Sequence, residues 1–284
     1  MVAALLGAVA VRLDDNAADL LFALSEVGRC RALTRNAYAV SELRGRYRGI
    51  ELDDGTAQIV GENIELRATL EHWRHAFAID EPHSLHTGEH GRSIQVFDAH
   101  GTAVHKVYLE PDGDAKTWDA IVATRTVTAP PVLDPLPRRR AERSGDDTDR
   151  ARLRLTGPDR AQRVANEAID QVLHTVAATG DPVRILVGNR GCTQAFRGAV
   201  ERVLRQGPWL SVLDQDFKLH LRADQIASSW VVRTPTRGGL VTSLELFDAS
   251  GTTIAQVFCH GPDPDRIEGM AWRTLLDALA PIRR

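Results

Sequence analysis

The sequence predicts an α+β fold with antiparallel sheets, in which one structural unit is written twice. Three observations point there: a ten-residue block recurs, short alternating apolar runs are separated by Gly- and Asp-rich turns, and helical patterns bound each half. Ser93-Ile-Gln-Val-Phe-Asp-Ala-His-Gly-Thr102 returns 150 residues later as Ser243-Leu-Glu-Leu-Phe-Asp-Ala-Ser-Gly-Thr252, with six of ten positions identical. At a spacing of 153, Asn36 meets Asn189, Arg44-Gly45 meets Arg197-Gly198, and Leu66-Arg67 meets Leu219-His220. Several matches in one order and at nearly one offset imply a tandem duplication.

Each half opens with apolar residues at helical spacing, Ala17 to Val27 in the first and Val164 to Ala178 in the second. Alternating runs such as Tyr38 to Leu43 and Ile185 to Val187 follow, separated by turns like Asp53-Asp54-Gly55. The repeated block reads as strand, tight turn, strand, because Asp-Ala-x-Gly supplies the reversal between alternating apolar residues. Ala103 to Leu109 and Thr253 to Phe258 are the return strands, and a closing helix carries Trp118 in one half and Trp272 in the other. Leu70 to Phe77 reads as a further helix, which would set His72 and His75 on one face. The expected organisation is a first repeat over residues 1–128, a linker over 129–160 and a second repeat over 161–284. The linker is rich in proline and mixed charge, and cannot bury enough apolar area to order itself.

Composition excludes several classes. Lys and Arg number 35 against 38 Asp and Glu, a formal charge of −3, so the basic excess of a dedicated nucleic-acid binder is missing. Arg138–Arg140 reads as a solvated charge run. The apolar opening, Met1 to Val11, is shorter than the roughly 20 residues that span a bilayer. Cys30, Cys192 and Cys259 are far apart and form neither a disulfide framework nor a zinc knuckle, which suits a reducing cytoplasm. No phosphate loop, dinucleotide fingerprint, nucleophile elbow or zinc-protease string is present. His72 with His75 is too few ligands for a stable metal site, and His83, His86 and His90 fall in a polar loop. Arg67 ends the alternating segment Ile64-Glu-Leu-Arg67 opposite in facing to Leu66, and a guanidinium beside an apolar surface suits a carboxylate or an iron-bound ligand.

Leu33-Thr-Arg-Asn36, Ile64-Glu-Leu-Arg67 with Trp73, and Ser93-Ile-Gln-Val-Phe-Asp98 with Lys106-Val-Tyr108 resemble the first half of the HemS/HmuS/ChuS family. Val187-Gly-Asn-Arg-Gly-Cys192, Gly207-Pro-Trp209, Leu219-His-Leu221, Val241 to Asp248 and Ile254-Ala-Gln-Val-Phe258 resemble its second half. The resemblance covers nearly the whole chain except the linker. It implies a saddle of two large antiparallel sheets with flanking helices, and haem as the bound group in a cleft between the halves. The activity implied is that of a cytoplasmic protein of haem uptake and iron utilisation, which carries haem or degrades it oxidatively. A haem importer, a haem oxygenase and a second copy of the chain are the partners it suggests.

Carried over residue by residue, Arg67 falls on the family's distal-side arginine, and Gln256 on a glutamine near the haem. Phe258 stands where several members have tyrosine, and Thr234 replaces a lysine in the family's R-K-P-T string. His260 lies in a loop where members carry basic residues. The family's axial histidine, in a D-x-H-x-F-F helix, has no counterpart, and the histidine of its N-x-Y-A-V-H-E string is Ser41 here. Substitute iron ligands are His260, beside Cys259, then His174 and His220, the last being the repeat mate of Arg67. The competing expectation is a shortened relative that has lost haem ligation and serves as a non-catalytic binding or interaction module.

Overall fold

The computed structural model describes residues 9–81, 91–129, 160–236, 239–260, 269–279 and 281–282. The chain divides into two compact units. Unit 1 comprises Met1–Arg35, Glu42–Arg138 and Asn189–Gln194, and unit 2 comprises Asn36–Ser41, Arg139–Gly188 and Ala195–Arg284. The strands build two large sheets, and the pairings described below are antiparallel. The linker proper, the Arg138–Arg140 run and the His83, His86 and His90 loop lie outside the described residues.

In the first half, the strands are β1 (Val9–Leu13), β2 (Arg29–Arg35), β3 (Ala39–Arg46), β4 (Ile50–Asp53), β5 (Thr56–Val60), β6 (Glu65–Thr69), β7 (His75–Glu81), β8 (Gly91–Phe97) and β9 (Ala103–Leu109), with helices α1 (Ala17–Ser25) and α2 (Ala115–Arg125). The second half adds β10 (Ala161–Val164), α3 (Ala168–Thr179), β11 (Val183–Gly188), β12 (Cys192–Gly198), β13 (Val203–Gln206), β14 (Trp209–Leu213), β15 (Phe217–Arg222), β16 (Ser228–Thr236), β17 (Gly239–Phe247), β18 (Thr253–Cys259) and α4 (Met270–Asp277). The strand order β1-β7-β8-β9-β2-β3 reappears as β10-β16-β17-β18-β11-β12, and β6-β5-β4 as β15-β14-β13.

Register repeats along with order. In unit 1 the row Ala78–Ile94–Val107–Ala32 crosses four strands, and every member is buried. Its unit 2 equivalent is Val231–Leu244–Val257–Ile185, again wholly buried. Alternate residues line one face of a strand, so these rows define the core faces, and their partners at odd offsets lie on the opposite face. Each unit's helices bury apolar residues of their own: Leu20, Leu21, Leu24, Trp118 and Ile121 in unit 1, and Ile169, Val172, Leu173, Val176, Trp272 and Leu276 in unit 2.

The repeated block folds as the sequence predicts. Asp98 Oδ1 accepts from the backbone of His100 and Thr102, and Asp248 Oδ1 accepts from Ser250 and Thr252, closing identical turns. Gly101 and Gly251 sit at φ 80° and 86°, a region where a side chain would be strained. Each turn follows a one-residue bulge, at Val96/Phe97 and at Leu246/Phe247.

Two sequence expectations fail. Leu70–His72 forms one short 3-10 turn, and His75 already belongs to β7, so His72 and His75 do not share a helix face. Arg74 N–H bonds Phe97 O, and the long-range ladder between β7 and β8 overrides the local helical pattern. In the second half, Val164 ends strand β10, and the helix starts only at Ala168.

Candidate functional site

The seven side chains proposed from sequence for the haem site and its iron fall in both units. Arg67 belongs to unit 1. It lies opposite Gln58 on β6, exposed between buried Leu66 and Ala68, as strand alternation requires.

Gln256 and Phe258 belong to unit 2 and share one face of β18. The row Trp230–Glu245–Gln256–Leu186 crosses β16, β17, β18 and β11, and the next row is Val232–Ser243–Phe258–Arg184. Trp230, Gln256, Phe258 and Leu186 are half-buried, while Glu245 and Ser243 are buried. Ser243 Oγ donates to Glu245 Oε1 at 2.9 Å, so the carboxylate is held within the face. Indole, phenyl and leucine carbons give this face apolar area, interrupted by Glu245, Gln256, Ser243 and Arg184.

Cys259 follows Phe258 and alternates to the other side of β18, away from Gln256. His260 lies just past the end of the strand, its backbone N–H donating to Pro182 O at 3.0 Å. His174 lies on α3, where Nδ1 reaches Asp170 Oδ1 at 2.9 Å, and Asp170 also pairs with Arg205 at 3.1 Å. His220 Nδ1 is 3.0 Å from Ser211 Oγ, its cross-strand neighbour on β14. Among the described residues, no three His, Cys, Asp or Glu side chains come together as a metal site. Gln256 and Phe258 are therefore brought together, whereas Cys259, His174 and His220 occupy separate environments within unit 2.

A polar cluster that sequence reasoning missed lies inside unit 1. His105 is 1% exposed, between Tyr47, Thr34, Cys192 and Trp73. Gln194 Nε2 points at Ala32 O, at 3.5 Å, so Gln194 Oε1 faces Thr34 and accepts its hydroxyl proton at 3.1 Å. Thr34 Oγ1 is then an acceptor for His105 Nδ1–H at 2.9 Å, which leaves Nε2 to accept from the Tyr47 hydroxyl at 2.7 Å. One neutral tautomer satisfies every bond. Burial pushes the His105 pKa down to about 3 and the Cys192 thiol up to about 12, the latter despite a contact with Thr34 at 3.3 Å. The Trp73 ring stacks on His105 at 5.5 Å while its Nε1 donates to Gly191 O at 2.8 Å.

The cluster has no twin. At the repeat spacing, Thr34, Tyr47, Trp73, His105 and Cys192 correspond to Val187, Val200, Ile226, Ala255 and Ala39, all buried. Comparing repeats position by position is the sequence signal that isolates it.

Comparisons with known proteins agree with this architecture. The family described as "Haemin-degrading HemS.ChuX domain" matches residues 1–124 and 148–279. The hemin transport protein HmuS of Yersinia pestis is 37% identical over 278 residues, spanning 88% of this chain and 80% of its own. Holo-PhuS, a heme-binding protein from Pseudomonas aeruginosa, superposes with a TM-score of 0.86 at 33% identity, covering 99% of this chain and 90% of that one. The heme-degrading enzyme ChuS of Escherichia coli O157:H7 gives a TM-score of 0.85 at 32% identity, over 96% of this chain and 87% of its own. With two matched domains in tandem and relatives aligned over most of their length, this chain belongs to the haemin-degrading HemS/ChuX domain family.

Proposed function

We propose that the chain binds haem and serves haem uptake and iron utilisation, carrying haem to a recipient or opening its ring. The half-buried face formed by Trp230, Leu186, Gln256 and Phe258 carries this reading, because its indole, leucine and phenyl carbons offer a macrocycle apolar contact. The likeness to a heme-binding and a heme-degrading protein over nearly the full chain supports it. Arg67 is the residue we assign to the iron-bound ligand or to the water and oxygen beside it, an exposed guanidinium being free to make such a contact. His260, which follows Phe258, is the first choice for an axial ligand, ahead of Cys259, His174 and His220. Ring opening would consume dioxygen and electrons from an external reductant.

No helix among the described residues is long and apolar enough to cross a membrane. We place the protein in the cytoplasm, with a haem importer or a haem oxygenase as its partner and a homodimer as its assembly. Titration with hemin tests the reading. A Soret shift that saturates near stoichiometric protein supports it, and an unshifted band refutes it.

Phe258, Thr234 and Ser41 favour a second reading, a binding module without haem chemistry. Expression with added haem separates the two: colourless protein that retains a macromolecular partner supports the second, and recovery of bound haem excludes it.

A further inference from the structure

The chain carries 35 Lys and Arg residues, of which only three, Lys106, Lys116 and Lys218, are lysine. Lys116 is exposed on α2 and Lys218 lies on β15. Lys106 is different. It sits half-buried in unit 1, in the cross-strand row Phe77–Gln95–Lys106–Leu33. No carboxylate lies within ion-pairing distance of its ammonium among the described residues. Burial lowers its pKa, Arg35 lowers it further, and Glu81 opposes both.

Arg35 is exposed two residues beyond Leu33 on β2, on the same face, so two cations stand close together, with no ion pair to either among the described residues. The neighbouring Arg31 shows what compensation looks like in this sheet. Its guanidinium stacks on Tyr108 at 4.3 Å and pairs with Glu42 at 3.1 Å and Glu110 at 3.5 Å. Around Lys106 the same face carries Leu33, Phe77 and Phe97, the two phenyl rings edge to face at 5.8 Å, with Gln95 between Phe77 and Lys106.

The fold does not need these charges. At the repeat spacing Lys106, Arg35 and Gln95 become Gln256, Gly188 and Glu245, so these three positions are neutral or acidic in unit 2 and the ladder still forms. Two adjacent cations repel, and an ammonium pulled from water is costly, unless an anion joins them. We propose that Lys106 and Arg35 form a binding site on unit 1 for the carboxylate of an organic acid whose apolar body lies on Leu33, Phe77 and Phe97. The site uses none of the unit 2 residues named above and does not depend on iron ligation.

Reductive methylation with formaldehyde and cyanoborohydride, followed by peptide mapping, reads Lys106 directly, with exposed Lys116 as the internal reference. Two probes share the carboxylate and differ in body: metal-free protoporphyrin IX and octanoate. At saturation either should slow methylation of Lys106 at least tenfold and leave Lys116 unchanged, and Arg35→Gln should weaken that protection. Protection by protoporphyrin alone identifies a tetrapyrrole acid as the occupant, and protection by both identifies carboxylates generally. Lys106→Met, with its thermal unfolding unchanged, should lose at least tenfold in affinity for the protecting probe. Equal methylation with and without both probes, or a Lys106 that never reacts in the free chain, overturns the proposal. A missing Soret shift with hemin would defeat the haem reading and leave this result standing.

Discussion

Asn36 and Asn189, 153 positions apart, make the same clamp. Within unit 2, Asn36 Nδ2 donates to Gly188 O at 3.1 Å and Ile254 O at 2.8 Å. Within unit 1, Asn189 Nδ2 donates to Arg35 O at 2.9 Å and Val104 O at 2.8 Å. The acceptors are themselves repeat mates, and in each case the Oδ1 accepts from the following turn, at Ala39 N–H in one and Gly191 N–H in the other. Each asparagine stitches two strand ends through their carbonyls.

Replacing either by Ala removes two side-chain bonds to carbonyls and the bonds its Oδ1 accepts, from Tyr38 and Ala39 N–H at Asn36 and from Gly191 N–H at Asn189, a cost of about 2–4 kcal/mol. Asn36→Asp and Asn189→Asp should cost at least as much, since a carboxylate then faces two carbonyl oxygens. Urea unfolding of the four variants checks this, and near-wild-type stability in an Asp variant would contradict the donor role.

His105 makes stability depend on pH. Its pKa falls from 6.5 to about 3 in the folded chain because burial penalises the charged ring, so the unfolded state takes up the proton first. The stabilisation is therefore fully present above about pH 6.5 and is lost as pH falls towards 3, with a total on the order of 5 kcal/mol. His105→Gln should flatten unfolding free energy against pH in that window. Tyr47→Phe, which leaves Nε2 without its donor, should cost about 1–3 kcal/mol at pH 8.

Gly191 has no left-handed backbone to explain it. A Cβ there would lie 2.7 Å from Val104 Cγ1 and 2.9 Å from His72 Cβ, so the residue is small because β9 and the Leu70–His72 turn close over it. Gly191→Ala should destabilise by about 1–3 kcal/mol through overpacking. It should also loosen the Trp73–Gly191 bond, read as a change in tryptophan fluorescence that a remote destabilising substitution would not produce.

How much of this was legible in the sequence follows from range. The Asp98 and Asp248 turns were readable because their acceptors and donors lie within four residues. Arg67 opposite in facing to Leu66 was readable from alternation alone. The helix expected through Trp73 was not, because Arg74 and His75 are claimed by β8, about 20 residues away, and apolar spacing records nothing of that partner. The His105 cluster draws its contacts from residues 34, 47, 73, 192 and 194, and no single window holds them. Haem-face assignments rested on family strings, and strand parity is what separates Gln256 and Phe258 from Cys259.

Arg67 is exposed, so Arg67→Ala should leave thermal unfolding within about 0.5 kcal/mol of wild type. If it serves haem, the same variant should shift the ferric Soret band or slow turnover. A spectrum and rate identical to wild type would remove Arg67 from the site.

Glu245 offers a sharper test of the unit 2 face, because the first repeat supplies its own control. Its mate Gln95 occupies the same register beside Ser93, with Gln95 Nε2 donating to Ser93 Oγ at 3.1 Å, where Ser243 Oγ instead donates to Glu245. An amide at this position is thus compatible with the fold, and Glu245→Gln should preserve stability within about 1 kcal/mol. A buried carboxylate opposite Gln256 is a poor neighbour for a dianionic macrocycle, since like charges in a half-dry face are weakly screened. Removing that charge should tighten hemin binding several-fold, and the gain should shrink as salt is raised only insofar as the propionates sit at the solvent edge. Unchanged hemin affinity in a folded Glu245→Gln protein would place the macrocycle somewhere other than the Trp230–Glu245–Gln256–Leu186 row.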